Sequence, residues 1–157
     1  MKRQFLCLMI FLSMQIGSIA QASDWRKMGS EKQKLNNVVK VIPGASNIML
    51  QMGERYKNLY WAGMQEKWQF AEYQVEEMQS LIKTLMITRP KRAATAEKFL
   101  KEAFVEFPVA IQNKSWSSFT QAFEHMRQAC MVCHVKNDHA FIILSKKPNK
   151  ASSPVFN

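Results

Sequence analysis

The chain has 157 residues, 47% of them hydrophobic, with 22 basic against 12 acidic residues and a formal charge of +10. That length suits one domain with a real core, and five glycines, five prolines and three cysteines exclude a low-complexity chain and a disulfide framework. The basic balance comes with no nucleic-acid module, so no nucleic acid is expected as a partner.

The opening, MKRQFLCLMIFLSMQIGSIAQAS, has a charged start at Lys2 and Arg3, an apolar run from Phe5 to Ile19, and the small-x-small triplet Ala20-Gln21-Ala22. Those parts in that order predict a signal peptide over residues 1–22 and an exported, periplasmic protein. A membrane anchor is the competing reading, but the run is short and broken by Ser13 and Gln15. Export discards Cys7 and takes the formal +10 to +8 through the loss of Lys2 and Arg3. A surface that basic would meet an acidic partner protein or, weakly, an anionic membrane face; its other use is to keep the domain soluble.

Residues 23–46 form a basic, polar arm broken at Pro43-Gly44, with a short helix expected over Lys32 to Val41 and much of the arm loosely held. Ser46 or Asn47 is placed to cap the next helix, on which Met49, Met52, Tyr56, Leu59, Tyr60 and Gly63 share one face, with Gly63 as a C-cap. A second helix is expected from about Glu66 to Thr88. Its inward stripe is Ala71, Val75, Met78, Ile82 and Leu85, and Arg89-Pro90 ends it. A third begins near Ala93 with Phe99, Leu100, Ala103, Phe104 and Phe107 inward, and Pro108 must kink or end it. After the Asn113-Lys114-Ser115 turn, Ser115 or Ser117 caps a fourth helix. There Trp116, Phe119, Phe123, Met126, Cys130 and Cys133 step by 3, 4, 3, 4 and 3. Strand signals are almost absent, so the fold class is all-α: an antiparallel four-helix bundle over residues 47–137, with residues 138–157 as a tail packed on it.

The stretch Cys130-Met131-Val132-Cys133-His134 carries the chemistry. C-x-x-C-H is a haem-attachment motif: two thiols add to the porphyrin vinyl groups, and the next imidazole ligates the iron. Phe123 and Met126 lead into it on the same helical face and are expected in the haem pocket. One covalently bound haem c is therefore the expected cofactor, with His134 as the iron ligand. A redox disulfide pair would sit at a helix N-terminus after a strand. A zinc site would need two further ligands, for which only His125 and His139 offer themselves. Arg127 and Lys136, beside the motif, are either partners of the haem carboxylates or ordinary solvated charges.

On Cys130, Cys133 and His134, late in a helical chain, the protein resembles the cytochrome c-prime and cytochrome c-556 type of class II c-type cytochromes. It is also similar to a group of short exported bacterial haem proteins through LYWAG at 59–63, Trp68, Ala71, Tyr73, HAFI at 139–142 and a closing PVFN. In that group the position of Tyr56 is often His. The resemblance implies a c-prime-like fold whose first helix covers the distal haem face. There Met49, with Met52 as the alternative, would be the sixth ligand and Tyr56 would lie nearby; core filling is the other use of either methionine. The implied function is electron transfer with an acidic redox partner. An open five-coordinate haem that binds or senses NO or CO, or a haem-bearing accessory subunit of a larger oxidoreductase, is the alternative. A homodimer stays open, and no acid–base pair, nucleophile constellation or phosphate loop points to an enzyme.

Overall fold

The structure, a computed structural model, describes residues 24–27 and 29–150; the expected leader over residues 1–22 lies outside them. Among the described residues all regular structure is helical. The chain divides into two compact units, Met1–Val41 and Ile42–Asn157.

Of the first unit, a 3₁₀ turn at Trp25–Lys27 and helix α1 (Glu31–Val41) are described. Ser30 and Gln33 form a reciprocal capping box, Gln33 N–H donating to Ser30 Oγ at 3.3 Å and Ser30 N–H to Gln33 Oε1 at 2.7 Å. That cap starts the helix one residue ahead of the expected Lys32. No residue of α1 is buried, so capping and local charge pairs hold it, with Lys34 on Glu31 at 2.7 Å.

The second unit holds five α-helices: α2 (Ala45–Met64), α3 (Trp68–Thr88), α4 (Ala93–Glu102), α5 (Phe107–Gln112) and α6 (Trp116–Lys136). The stripe read along α3 is buried throughout, with Gln74 added to it and held by the Arg55 guanidinium at 3.2 Å. Ser115 caps α6, its Oγ accepting from Ser118 N–H at 3.2 Å. The expected third helix is two helices. The chain leaves the α4 geometry at Ala103, and Pro108 sits in the first turn of α5, where its missing N–H costs nothing.

Two expected caps are corrected. Ser46 and Asn47 lie inside α2, and its N-cap is Gly44, whose extended backbone fits that position without a side-chain bond. Gly63 is not the C-cap; it is buried in the last turn of α2 against the Phe119 ring, where a Cβ would stand 2.3 Å from Cε1. The reversal is made by Glu66 at φ 57°, with Glu66 N–H on Gly63 O and Lys67 N–H on Ala62 O. The same double-bonded ending closes α5 at Lys114 (φ 50°) and α6 at Asp138 (φ 64°). None of the three left-handed positions is a glycine, so composition hides them.

Phe107, Phe119, Ile48, Leu59, Met78 and Met126 are the largest fully buried apolar side chains, and α2, α3, α5 and α6 supply them. Phe119 is the hub of an aromatic cluster with Trp68, Phe107 and Trp116 at centroid distances of 5.3 to 5.9 Å. Gly63 is what lets α2 come up to that hub. Gly63→Ala should therefore lower unfolding free energy by about 2 kcal/mol in urea titrations, the usual scale of overpacking. An unchanged midpoint would mean that Phe119 can move aside.

Candidate functional site

Residues spaced by three and four on α6 share a face, so Cys130, Cys133 and His134 open together onto the space between α6 and α2. Two adjoining cavities of about 470 and 400 Å³ meet there. Met49, Leu85, Ala96, Cys133, His134 and Ile142 line both. Arg92, Thr95, Asn137 and His139 add a polar side to the first, and Met52, Tyr56, Cys130 and Leu144 belong to the second.

Both thiols are free. Burial pushes the Cys130 thiol up to about 12, with Cys133 adding to the shift. Burial also raises Cys133, against hydrogen bonds from Thr95 and Asn137 that favour its thiolate. Asn137 Nδ2 ties this corner together, donating to Cys133 O at 2.8 Å and to Thr95 Oγ1 at 2.9 Å, with Cys133 Sγ at 3.7 Å. A thioredoxin-like pair needs a thiol stabilised as thiolate at a helix N-terminus; here both thiols are neutral and lie in the last two turns of α6. The zinc alternative lacks a ligand set: among the described residues no three of His, Cys, Asp and Glu stand close enough to hold a metal ion. His125 is exposed and pairs with Glu106 at 3.0 Å.

His134 is half-buried, and burial, with His139 nearby, lowers its pKa, so the imidazole is neutral at neutral pH. Its Nδ1 lies 3.4 Å from the Ile142 carbonyl. With the proton on Nδ1 facing that carbonyl, Nε2 is left with a lone pair, as a metal-ligating histidine requires. Two thiols, one neutral imidazole with a free nitrogen, and an apolar space beside all three are what a covalently held haem needs, and these residues fit it.

The other expected site residues divide. Met49 lines both cavities; Met52 and Tyr56 line only the second. The Tyr56 hydroxyl donates to the Ser145 carbonyl, and burial raises its pKa and keeps the phenol protonated. Phe123 and Met126 do not line either cavity. Phe123 packs on Tyr56 at 4.6 Å and on Tyr60 at 5.2 Å, and Met126 is fully buried, so both back the wall from inside the core.

Arg127 is neither a solvated charge nor a group facing the cavities. It is buried, gripping Glu124 with two nitrogens at 2.7 and 2.8 Å and donating to the Leu144 carbonyl at 3.2 Å. Lys136 is exposed. Trp61 Nε1–H donates to the Pro148 carbonyl at 3.0 Å, so Arg127, Tyr56 and Trp61 hold three carbonyls of one returning segment across the second cavity. Sequence reasoning missed Ile142, Leu144, Ser145 and Pro148 as wall residues. The signal was the alternation after His139, where Phe141 and Ile143 face solvent and Leu144 packs on the core.

No described helix is long and apolar enough to cross a membrane. Neither family models nor comparisons with curated proteins and solved structures give a match to this chain.

Glu124 gives this clamp a pH dependence. The Arg127 guanidinium holds its carboxyl down to about 2, from 4.5. The lowered value means that the pair stabilises the fold fully above about pH 4.5 and that this contribution is lost as pH falls through about 2. With a third of the Glu124 side chain exposed, the contribution is discounted to about 1 kcal/mol. Between pH 5 and pH 2 the native chain should lose about that much more unfolding free energy than Glu124→Gln, read by urea titration. Parallel losses would show that the pair carries no stability.

Proposed function

We propose that this chain is an exported monohaem c-type cytochrome that carries electrons. Cys130 and Cys133 hold one haem through thioethers, and His134 is the proximal iron ligand. The observation that carries the reading is that these three side chains open onto one apolar space that Met49 also lines. When bound, the haem supplies one-electron chemistry; the chain binds it, excludes water and fixes the ligating imidazole. The Ile142 carbonyl orients His134, and Asn137 with Thr95 fixes the Cys133 corner.

The c-prime-like bundle belongs to the same proposal. Helices α2, α3 and α6 supply three rods, and the broken pair α4–α5 supplies the fourth. Met49 is the preferred distal ligand because it borders both cavities, with Met52 as the alternative. Tyr56, with its hydroxyl committed to Ser145, is a wall rather than a ligand. Export to the periplasm belongs to the same proposal, supported by the charged, apolar and small-x-small order expected of a leader over residues 1–22.

The test is the optical spectrum of the chain expressed with a signal peptide and haem-attachment machinery. The reading expects a reduced low-spin spectrum unchanged by carbon monoxide, and Met49→Leu should make it high-spin and carbon monoxide-reactive. A native protein that binds carbon monoxide at once would give the site to gas binding instead. Met49→Leu and Met52→Leu both keeping the native spectrum would overturn the distal assignment.

A further inference from the structure

At the end of the second unit that carries the motif, large apolar side chains stand in solvent. Val132 and Val135 on α6 are 52% and 59% exposed, and Phe141 and Ile143 after it are 78% and 76% exposed. The turn at Asp138 doubles the chain back: His139 N–H bonds His134 O at 2.8 Å, and Ile142 O faces His134 Nδ1. Phe141 and Ile143 therefore sit on the returning segment beside the motif, while the helical period puts Val132 and Val135 on the face of α6 turned away from Cys130, Cys133 and His134. Between Phe141 and Ile143, Ile142 lines both cavities and is itself 40% exposed. Across the first cavity, Leu50 of α2 is on its wall and 72% exposed. Leu50, Phe141, Ile142 and Ile143 thus put exposed apolar surface at the lip of the cavity, where a solvated protein would ordinarily place polar groups. Lys146 and Lys147 follow Ile143 on the same returning segment and Lys136 ends α6; all three are exposed, against Asp138 as the acidic group of the same stretch.

We propose that this strip is a docking surface for a small acidic electron-transfer protein, which meets Phe141 and Ile143 with an apolar centre and the three lysines with an acidic rim. The class of partner rests on the electron-carrier reading above; the surface does not. Charge complementarity sets the sign of the partner's rim. A bilayer is the poorer occupant, because Phe141 and Ile143 follow the turn at Asp138 at a cavity mouth and are not part of an amphipathic helix.

The experiment measures binding of the full mature protein, haem-loaded, to immobilised flavodoxin, an acidic electron-transfer protein, at low and at near-physiological salt. Phe141→Ser/Ile143→Ser and Lys146→Glu/Lys147→Glu should each weaken binding about tenfold or more. The loss from the lysine pair should shrink at higher salt, and the loss from the apolar pair should persist. All four positions are exposed, and circular dichroism confirms that each variant is folded. Native affinity in both variants overturns the proposal. So does binding to phosphatidylglycerol vesicles in place of flavodoxin, or a native dimer that the apolar variant dissociates, which would assign the strip to a membrane or to a second copy. A colourless protein refutes the haem reading, and the binding comparison still decides the surface.

Discussion

Cys130, Cys133 and His134 cannot avoid one another's company on a helix. A spacing of three and one puts them on one face of α6, and the phase set by Phe119, Phe123 and Met126 turns that face inward. The remaining features of the site follow from what covers them there. Desolvation keeps both thiols protonated and the imidazole neutral, which suits groups that form thioethers and donate a lone pair. The same desolvation argues against thiolate chemistry at this pair.

The second half of the site is made by a turn. The Asp138 ending returns the chain along α6, so a segment that looks like a tail becomes a wall. Three side chains fasten it from two helices: Tyr56 and Trp61 from α2, and Arg127 from α6. Trp61 belongs to LYWAG, and that stretch now has a physical account. Leu59 and Ala62 fill the core, Tyr60 meets Trp116 and Phe123, Trp61 grips the returning segment, and Gly63 admits the Phe119 ring. Arg127, beside the motif, spends its charge on Glu124 and on the fold rather than on the cavities.

The helices were legible in the sequence because a 3.6-residue period needs no knowledge of the partner. Ala71, Val75, Met78, Ile82 and Leu85 turned inward as their spacing demands. The motif was legible because its chemistry is local. What the period cannot say is which inward residue meets another side chain and which meets empty space. Phe123 and Met126 share the phase of Cys130 yet belong to the core, while Leu85 and Ala96 line the cavities. Helix ends were the least legible. Gly63 looked like a terminator and is a packing concession, while Glu66, Lys114 and Asp138 make the reversals with no glycine to announce them.

Intact-mass spectrometry of the chain exported alongside haem-attachment machinery, after extraction with acid acetone, tests the central claim most directly. The account predicts a polypeptide heavier by one whole haem, with the added mass on the peptide that carries Cys130 and Cys133. A chain at its bare mass, or two hydrogens lighter through a Cys130–Cys133 disulfide, would contradict it.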